Sequence, residues 1–286
     1  MENLRILFLN TWGGNVPGYF DWIEEHGAEA DVLCLSEVHN GYGPESVDLI
    51  RRVNNRRGPV QVKQYQILSD LLRDTHQGYF AEAYRGLHDC ESADTVPQGL
   101  AMFIRRELRS YGISSTLLNR EYDGIHTPGA ESGSRVIQSS FILPQDTDPI
   151  LLCSLHGLWT PGGKVDTESR HIQNDSILDH LCRRGSEPFS PLKGSARVIL
   201  GGDFNYTSAM AAFSRIKHWI YWGSGGAKVL NEQVPDGFNT RTELYDPDKP
   251  SLEADMVFTG RAIDAQLTVD RSVPSDHAAL FVDVAL

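Results

Sequence analysis

Short apolar runs recur along the chain, each bounded by Gly, Pro, Asn or Asp. The runs Arg5–Leu9, Val32–Ser36, Tyr79–Ala83, Leu100–Ile104, Gly112–Leu117, Arg135–Leu143, Ile150–Leu155, Arg197–Leu200, Asp255–Phe258, Ala265–Val269 and Ala278–Val284 are rich in β-branched and aromatic residues and predict strands. Apolar positions three or four apart predict helices over Tyr19–Glu29, Glu45–Asn54, Val62–Arg73, Thr167–Arg183 and Ser208–Ile220. Pro44 supports the second of these as a first-turn residue. Strands outnumber helices and do not alternate with them one to one. That disfavours a doubly wound or barrel plan and favours an α+β sandwich with helices outside paired sheets. Three connections are long for a compact fold: Gly86–Pro97, Glu121–Gly133 and Gly223–Tyr245. The middle one reads equally as a substrate-facing flap or a surface loop.

With 286 residues, 40% of them hydrophobic, the chain can bury one large core or two small ones. It shows no repeat, low-complexity segment or linker, and residues 1–286 are expected to form one domain. A formal net charge of -12 argues against a tight, non-specific grip on nucleic acid, which needs many Lys and Arg contacts to phosphate. It leaves room for a local basic groove or a metal site. No leader peptide or membrane span is evident, and stable membrane association is not expected. Cys34, Cys90, Cys153 and Cys182 lack the paired spacing of a zinc site, and reduced cysteines point to a cytoplasmic location.

The chemistry is concentrated where apolar runs begin or end. LRILFLN closes on Asn10, DVLCLSE on Glu37, ILLCSLH on His156, and RVILGGDFN on Asp203 and Asn205. ADMVF follows with Asp255, and PSDHAALFVDV opens with Asp276 and His277. Strand ends are rigid and share one rim, so such residues can converge on a cleft. Carboxylate and amide oxygens suit a hard divalent cation, and histidines can serve as donors or acids beside phosphate. Each residue also has an ordinary reading: Asn10 as a turn cap, GGDFN as a turn bonding its own backbone, either histidine as a structural one. Arg135, Trp159 and Arg241 stand near these positions as candidate substrate contacts, against salt-bridge or packing roles. Trp12 has the same two readings. Arg51, Arg52, Arg56 and Arg57 read first as charges favourable to a helix end.

The segments LNTWGG, LSEVH, HGLW, GGDFN, ADMVF and SDHAAL, in that order over almost the whole chain, resemble the endonuclease/exonuclease/phosphatase superfamily with its DNase I-like fold. HGLWTPGGKVDTESRHIQ is similar to a segment of bacterial members of uncharacterised substrate. The resemblance implies a four-layer sandwich, two mainly antiparallel sheets with outer helices. It implies a hydrolase that uses Mg²⁺ or Mn²⁺ and directs water in line at a phosphoester, a phosphodiester being the expected bond. By the same resemblance Glu37 would be the main metal ligand, helped by Asn10 and Asp276. Asp203 would orient and activate water. Asn205 would hold a phosphate oxygen, His156 would donate to phosphate, and Asp255 would fix His277, which stabilises the transition state.

The expected partner is a phosphorylated substrate: a short nucleic acid, a nucleotide or another small phosphodiester. The superfamily also contains sphingomyelinases and inositol-polyphosphate phosphatases. The latter group's Trp-Cys-Asp-Arg signature is missing, since PSLEADMV stands in that region. The competing expectation is an inactive phosphate- or partner-binding module on the same fold.

Overall fold

A computed structural model describes residues 3–41, 46–53, 56–85, 96–118, 134–145, 147–160, 163–186, 197–224, 226–246 and 252–286. The segment around the expected flap and Cys90 lie outside these.

The elements follow in chain order as β1 (Asn3–Asn10), α1 (Tyr19–Glu25), β2 (Val32–His39), β3 (Ser46–Val53), β4 (Arg56–Gln61), α2 (Gln64–Leu71), β5 (His76–Arg85) and β6 (Pro97–Arg105). The second half carries β7 (Arg109–Leu117), β8 (Val136–Leu143), β9 (Ile150–His156), α3 (Glu168–Ser186), β10 (Val198–Asp203), α4 (Ala211–Ser224), β11 (Ala227–Val229), β12 (Asp255–Gly260), β13 (Ala265–Asp270) and β14 (Ala279–Ala285).

The strands form two six-stranded sheets, β13-β14-β1-β2-β6-β5 and β11-β12-β10-β9-β8-β7, with β3-β4 as a separate hairpin. Each large sheet holds one parallel pair at its centre, β1 with β2 and β9 with β10, and is otherwise antiparallel.

Alternation along the central strands explains the layering. Leu4, Ile6 and Phe8 of β1 and Val32 and Cys34 of β2 join Ile150 and Leu152 of β9 and Ile199 of β10 in the core between the sheets. The intervening Leu7, Leu9, Leu33 and Leu35 face outward onto Tyr19, Trp22, Ile23 and Leu68 of α1 and α2. Across the molecule Leu151, Cys153 and Leu155 face Ile177, Leu181, Phe213 and Ile216 of α3 and α4. Strands buried on both faces read as unbroken apolar runs because period 2 supplies two cores at once. The result is the four-layer, DNase I-like sandwich. At Gly201 the sheets approach closely: a Cβ there would lie 2.6 Å from the Phe8 ring.

One expected element is overturned. Residues of the helix expected over Glu45–Asn54 form β3, antiparallel to β4 with Val53 opposite Arg56. Val47, Ile50 and Val53 fit a helical stripe but are β-branched, which suits a strand. Arg51, Arg52, Arg56 and Arg57 therefore sit on strands, and the helix-end explanation for them falls. The long connection Gly223–Tyr245 contains β11 and a 3₁₀ turn, Leu230–Gln233. Among the described residues no helix is long and apolar enough to cross a membrane.

Candidate active site

The carboxyl ends of the two parallel pairs meet across the sandwich. Asn10 ends β1 and lies in register with Ser36, next to Glu37 on β2. Asp203 ends β10 and is in register with both His156 of β9 and Asp255 of β12. Sheet pairing alone therefore sets three of these residues side by side. Asn10 closes the gap between sheets: its Nδ2 donates to Glu37 Oε1 at 3.1 Å and to Asp203 Oδ2 at 3.0 Å. Its Oδ1 accepts from the Trp12 backbone N–H at 3.0 Å, and its own carbonyl accepts from Ser275 Oγ at 2.7 Å.

Glu37 owes its direction to a break in β2. Strict alternation would turn it outward with Leu33 and Leu35. The β2–β6 register shifts between Leu35 and Val38, so Val38 takes the outward, core-facing place. Glu37 adopts φ 56°, left-handed backbone that costs a non-glycine residue about 1 kcal/mol or more.

Asp203 divides its carboxylate. Oδ1 accepts from the Asn205 backbone N–H at 2.8 Å, the turn bond that a GDFN sequence favours. Oδ2 faces Asn10, and lies 3.8 Å from His156 Nε2 and 3.7 Å from His277 Nε2. The turn reading of GGDFN thus accounts for one oxygen, and the other faces Asn10 and the two histidines. Asn205, at φ 53°, donates from Nδ2 to the Gly157 carbonyl at 3.2 Å. Burial would raise the Asp203 pKa, but His277, His156, Arg241 and Lys164 outweigh it and hold the carboxyl well below its ordinary range.

The two histidines are pushed apart. His156 is buried, which lowers its pKa; Arg135 and His277 lower it further, and Asp203 and Glu37 only partly offset them. His277 meets burial and the Arg241 charge as well, yet Asp255, Asp276 and Asp203 raise its pKa above the ordinary value. Asp255 Oδ2 lies 2.8 Å from His277 Nδ1, which puts a proton on Nδ1 and fixes the ring. Arg241 Nη1 contacts His277 Nε2 and is 3.3 Å from Asp276 Oδ2.

The remaining expected substrate contacts differ in setting. Arg135 is buried, with Nε 3.1 Å from the Gly157 carbonyl, Nη1 3.1 Å from the Ser134 carbonyl and Cζ 5.1 Å above the Tyr84 ring. Trp159 stands 39% exposed just beyond His156. In the sequence Lys164 is one lysine in a Gly-rich connection. Its place within electrostatic reach of Asp203, Asp255 and Arg241 becomes visible only in three dimensions.

The donors suit a hard divalent cation. Glu37, Asp203, Asp255 and Asp276 bring four carboxylates to one rim, and an ion would offset their mutual repulsion. Glu37 and Asp203, both joined to Asn10, offer oxygen ligands. A second set, Asp203, Asp255 and His277, brings one ligand atom from each residue within 4.8 Å of one another. In that set His277 Nδ1 and Asp255 Oδ2 already bond each other, so orientation is the role this pair fills as it stands.

Solved structures share the architecture. An endonuclease/exonuclease/phosphatase from Beutenbergia cavernae superposes with TM-score 0.68 at 19% identity, covering 100% of this chain and 72% of that one. A mannosyl-6-phosphatase from Bacteroides thetaiotaomicron gives 0.62 at 13% identity, covering 99% and 100%. Truncated TDP2 from Caenorhabditis elegans gives 0.59 at 13% identity, covering 99% and 98%. At these identities the likeness concerns the fold. No curated protein matches in sequence. The model of the endonuclease/exonuclease/phosphatase family matches residues 7–277, nearly the whole chain, and the chain belongs to that family.

Proposed function

We propose that this protein hydrolyses a phosphoester bond by in-line attack of water, with Mg²⁺ or Mn²⁺ as cofactor. The observation that carries this reading is the contact of Asn10 with Glu37 and Asp203 across the two sheets, with both histidine Nε2 atoms within 4 Å of Asp203 Oδ2. Glu37 would be the main ligand of the ion, with Asn10 and Asp276 in support. The ion would supply positive charge to offset that on the phosphate and the leaving oxygen.

The protein groups do the rest. Asp203 keeps Oδ1 on its turn and presents Oδ2 to water. Its low pKa keeps it ionised, so it orients and polarises water through a charged oxygen. Asn205 and His156 donate to phosphate oxygens. His277, held by Asp255, carries a proton on Nε2 toward the substrate once Arg241 turns to Asp276. These donors are placed beforehand and act on charge that develops in the transition state.

That a protein of the same fold is a mannosyl-6-phosphatase supports phosphoester chemistry without naming this substrate. The net charge of -12 weighs against long nucleic acid. Free thiols at Cys34, Cys153 and Cys182 support a cytoplasmic location. The test is hydrolysis of p-nitrophenyl phosphate and bis-p-nitrophenyl phosphate with Mg²⁺ or Mn²⁺, with EDTA, and by Asp203→Asn. Activity is expected to vanish with chelator, return with metal and fall by about 10³-fold in the variant. Hydrolysis indifferent to chelator and to the substitution overturns the reading.

A further inference from the structure

Lys164 sits on the segment between His156 and α3, and that segment is built to hold it. Arg170 of α3 is fully buried and spends its guanidinium on backbone carbonyls either side of the lysine. Nη2 donates to Gly163 at 3.1 Å and Leu158 at 3.4 Å, and Nη1 donates to Val165. Thr160 Oγ1 adds a bond to the Gly163 carbonyl at 2.8 Å. Beyond Val165, Asp166 caps the start of α4, its Oδ2 2.8 Å from the Ala211 N–H and its Oδ1 3.1 Å from the Ala212 N–H. A buried arginine is costly unless its bonds do something specific. Here they fix the backbone of one lysine.

The Lys164 ammonium is buried and, among the described residues, has no hydrogen-bond partner. Burial and Arg241 lower its pKa to about 8, while Asp203, Asp255 and Glu253 pull the other way. A buried lysine that remains unbonded, within electrostatic reach of carboxylates and between backbone pinned on both sides, is arranged for something that arrives from outside.

We infer that Lys164 binds a terminal oxygen of the substrate phosphate and makes this a site for phosphomonoesters, in place of the phosphodiester expected from the sequence. The inference rests on the phosphoesterase reading above. A diester offers two non-bridging oxygens and a monoester offers three. The proposed site has three groups of partners for them: the cation of Glu37, Asn205 with His156, and Lys164. Lys164, within electrostatic reach of Arg241, adds positive charge, which suits a dianion better than a monoanion.

The experiment compares the wild-type protein with Lys164→Gln and Lys164→Arg, each checked for an unchanged melting temperature. p-Nitrophenyl phosphate and bis-p-nitrophenyl phosphate are the substrates, with Mg²⁺ or Mn²⁺. Wild type is expected to prefer the monoester. Lys164→Gln is expected to lose about 10- to 100-fold in kcat/KM on the monoester, mostly through KM, and only about threefold on the diester, with Lys164→Arg recovering part of the loss. Separately, inorganic phosphate is titrated calorimetrically into the metal-free protein, and Lys164→Gln is expected to bind it about tenfold more weakly. Equal losses on both esters, a wild-type preference for the diester, or unchanged phosphate binding overturns the inference. If wild type cleaves neither ester with any divalent metal, the phosphoesterase reading fails, and the phosphate titration still decides whether Lys164 is an anion site.

Discussion

The side-chain amide of Asn10, at the end of β1, donates to Oδ2 of Asp203, at the end of β10, across 3.0 Å. One bond thus ties the rims of two sheets that share no strand. It also holds two carboxylates, Glu37 and Asp203, around one amide nitrogen. Asn10→Ala is expected to lower kcat/KM by about 10- to 100-fold and to weaken metal affinity, because the carboxylates then repel without a donor between them. Metal titration by calorimetry, beside steady-state kinetics, checks both parts.

Glu37 pays for its direction with left-handed backbone. Glu37→Gly is expected to stabilise the fold by about 1 kcal/mol, since glycine adopts φ 56° without strain and one carboxylate leaves a crowded acidic cluster. The same variant is expected to lose nearly all turnover. Urea denaturation in EDTA and an activity assay form the pair of measurements; a destabilised Glu37→Gly would mean that the bulge is not strained.

Asp255 sets the charge of His277. Removing its negative charge in Asp255→Asn is expected to lower the His277 pKa, since Asp255 is the foremost of the groups that raise it. If protonated His277 is the working form, activity is lost as pH rises through its pKa. The alkaline limb of the pH–rate profile then moves to lower pH in the variant. The proton resonance of the His277 ring in metal-free protein reports the same shift without turnover.

His180 makes a prediction about stability alone. It lies on the buried face of α3, between Thr116 Oγ1 and Ser139 Oγ, each 2.9 Å from a ring nitrogen. Burial, with Arg184 and Arg183 adding repulsion, lowers its pKa to about 4. The folded protein therefore keeps the ring neutral where the unfolded chain, near the ordinary value of 6.5, takes up a proton. This contribution is complete above about pH 6.5 and is lost as pH falls toward about 4. Between about pH 7.5 and 5 the wild type is expected to lose on the order of 2 kcal/mol more than His180→Gln. Denaturant midpoints at the two pH values give the comparison.

The residues show which signals survive in one dimension. Runs such as DVLCLSE and RVILGGDFN are legible because a strand buried on both faces is apolar throughout and turns polar only where it meets the rim. The hairpin of β3 and β4 is ambiguous in sequence because Val47, Ile50 and Val53 satisfy a helical spacing, and only pairing with Arg56–Gln61 decides between the periods. Glu37 stands out by its place after a strand, but the bulge that turns it inward leaves no mark in LSEVH. Lys164 carries no local signal because its environment is assembled from Arg170, Arg241, Asp203 and Asp255, which are scattered along the chain. Its fixing residue, Arg170, is a polar side chain whose burial no local pattern announces.

The placement of β1 at the heart of its sheet, between β2 and β14, has a consequence for biogenesis. Among the described residues β1 precedes the other thirteen strands in synthesis and β14 follows them, so one long edge of β1 stays open until β14 is made. A nascent chain presents that edge, LRILFLN, to any passing strand or chaperone until its own β14 arrives.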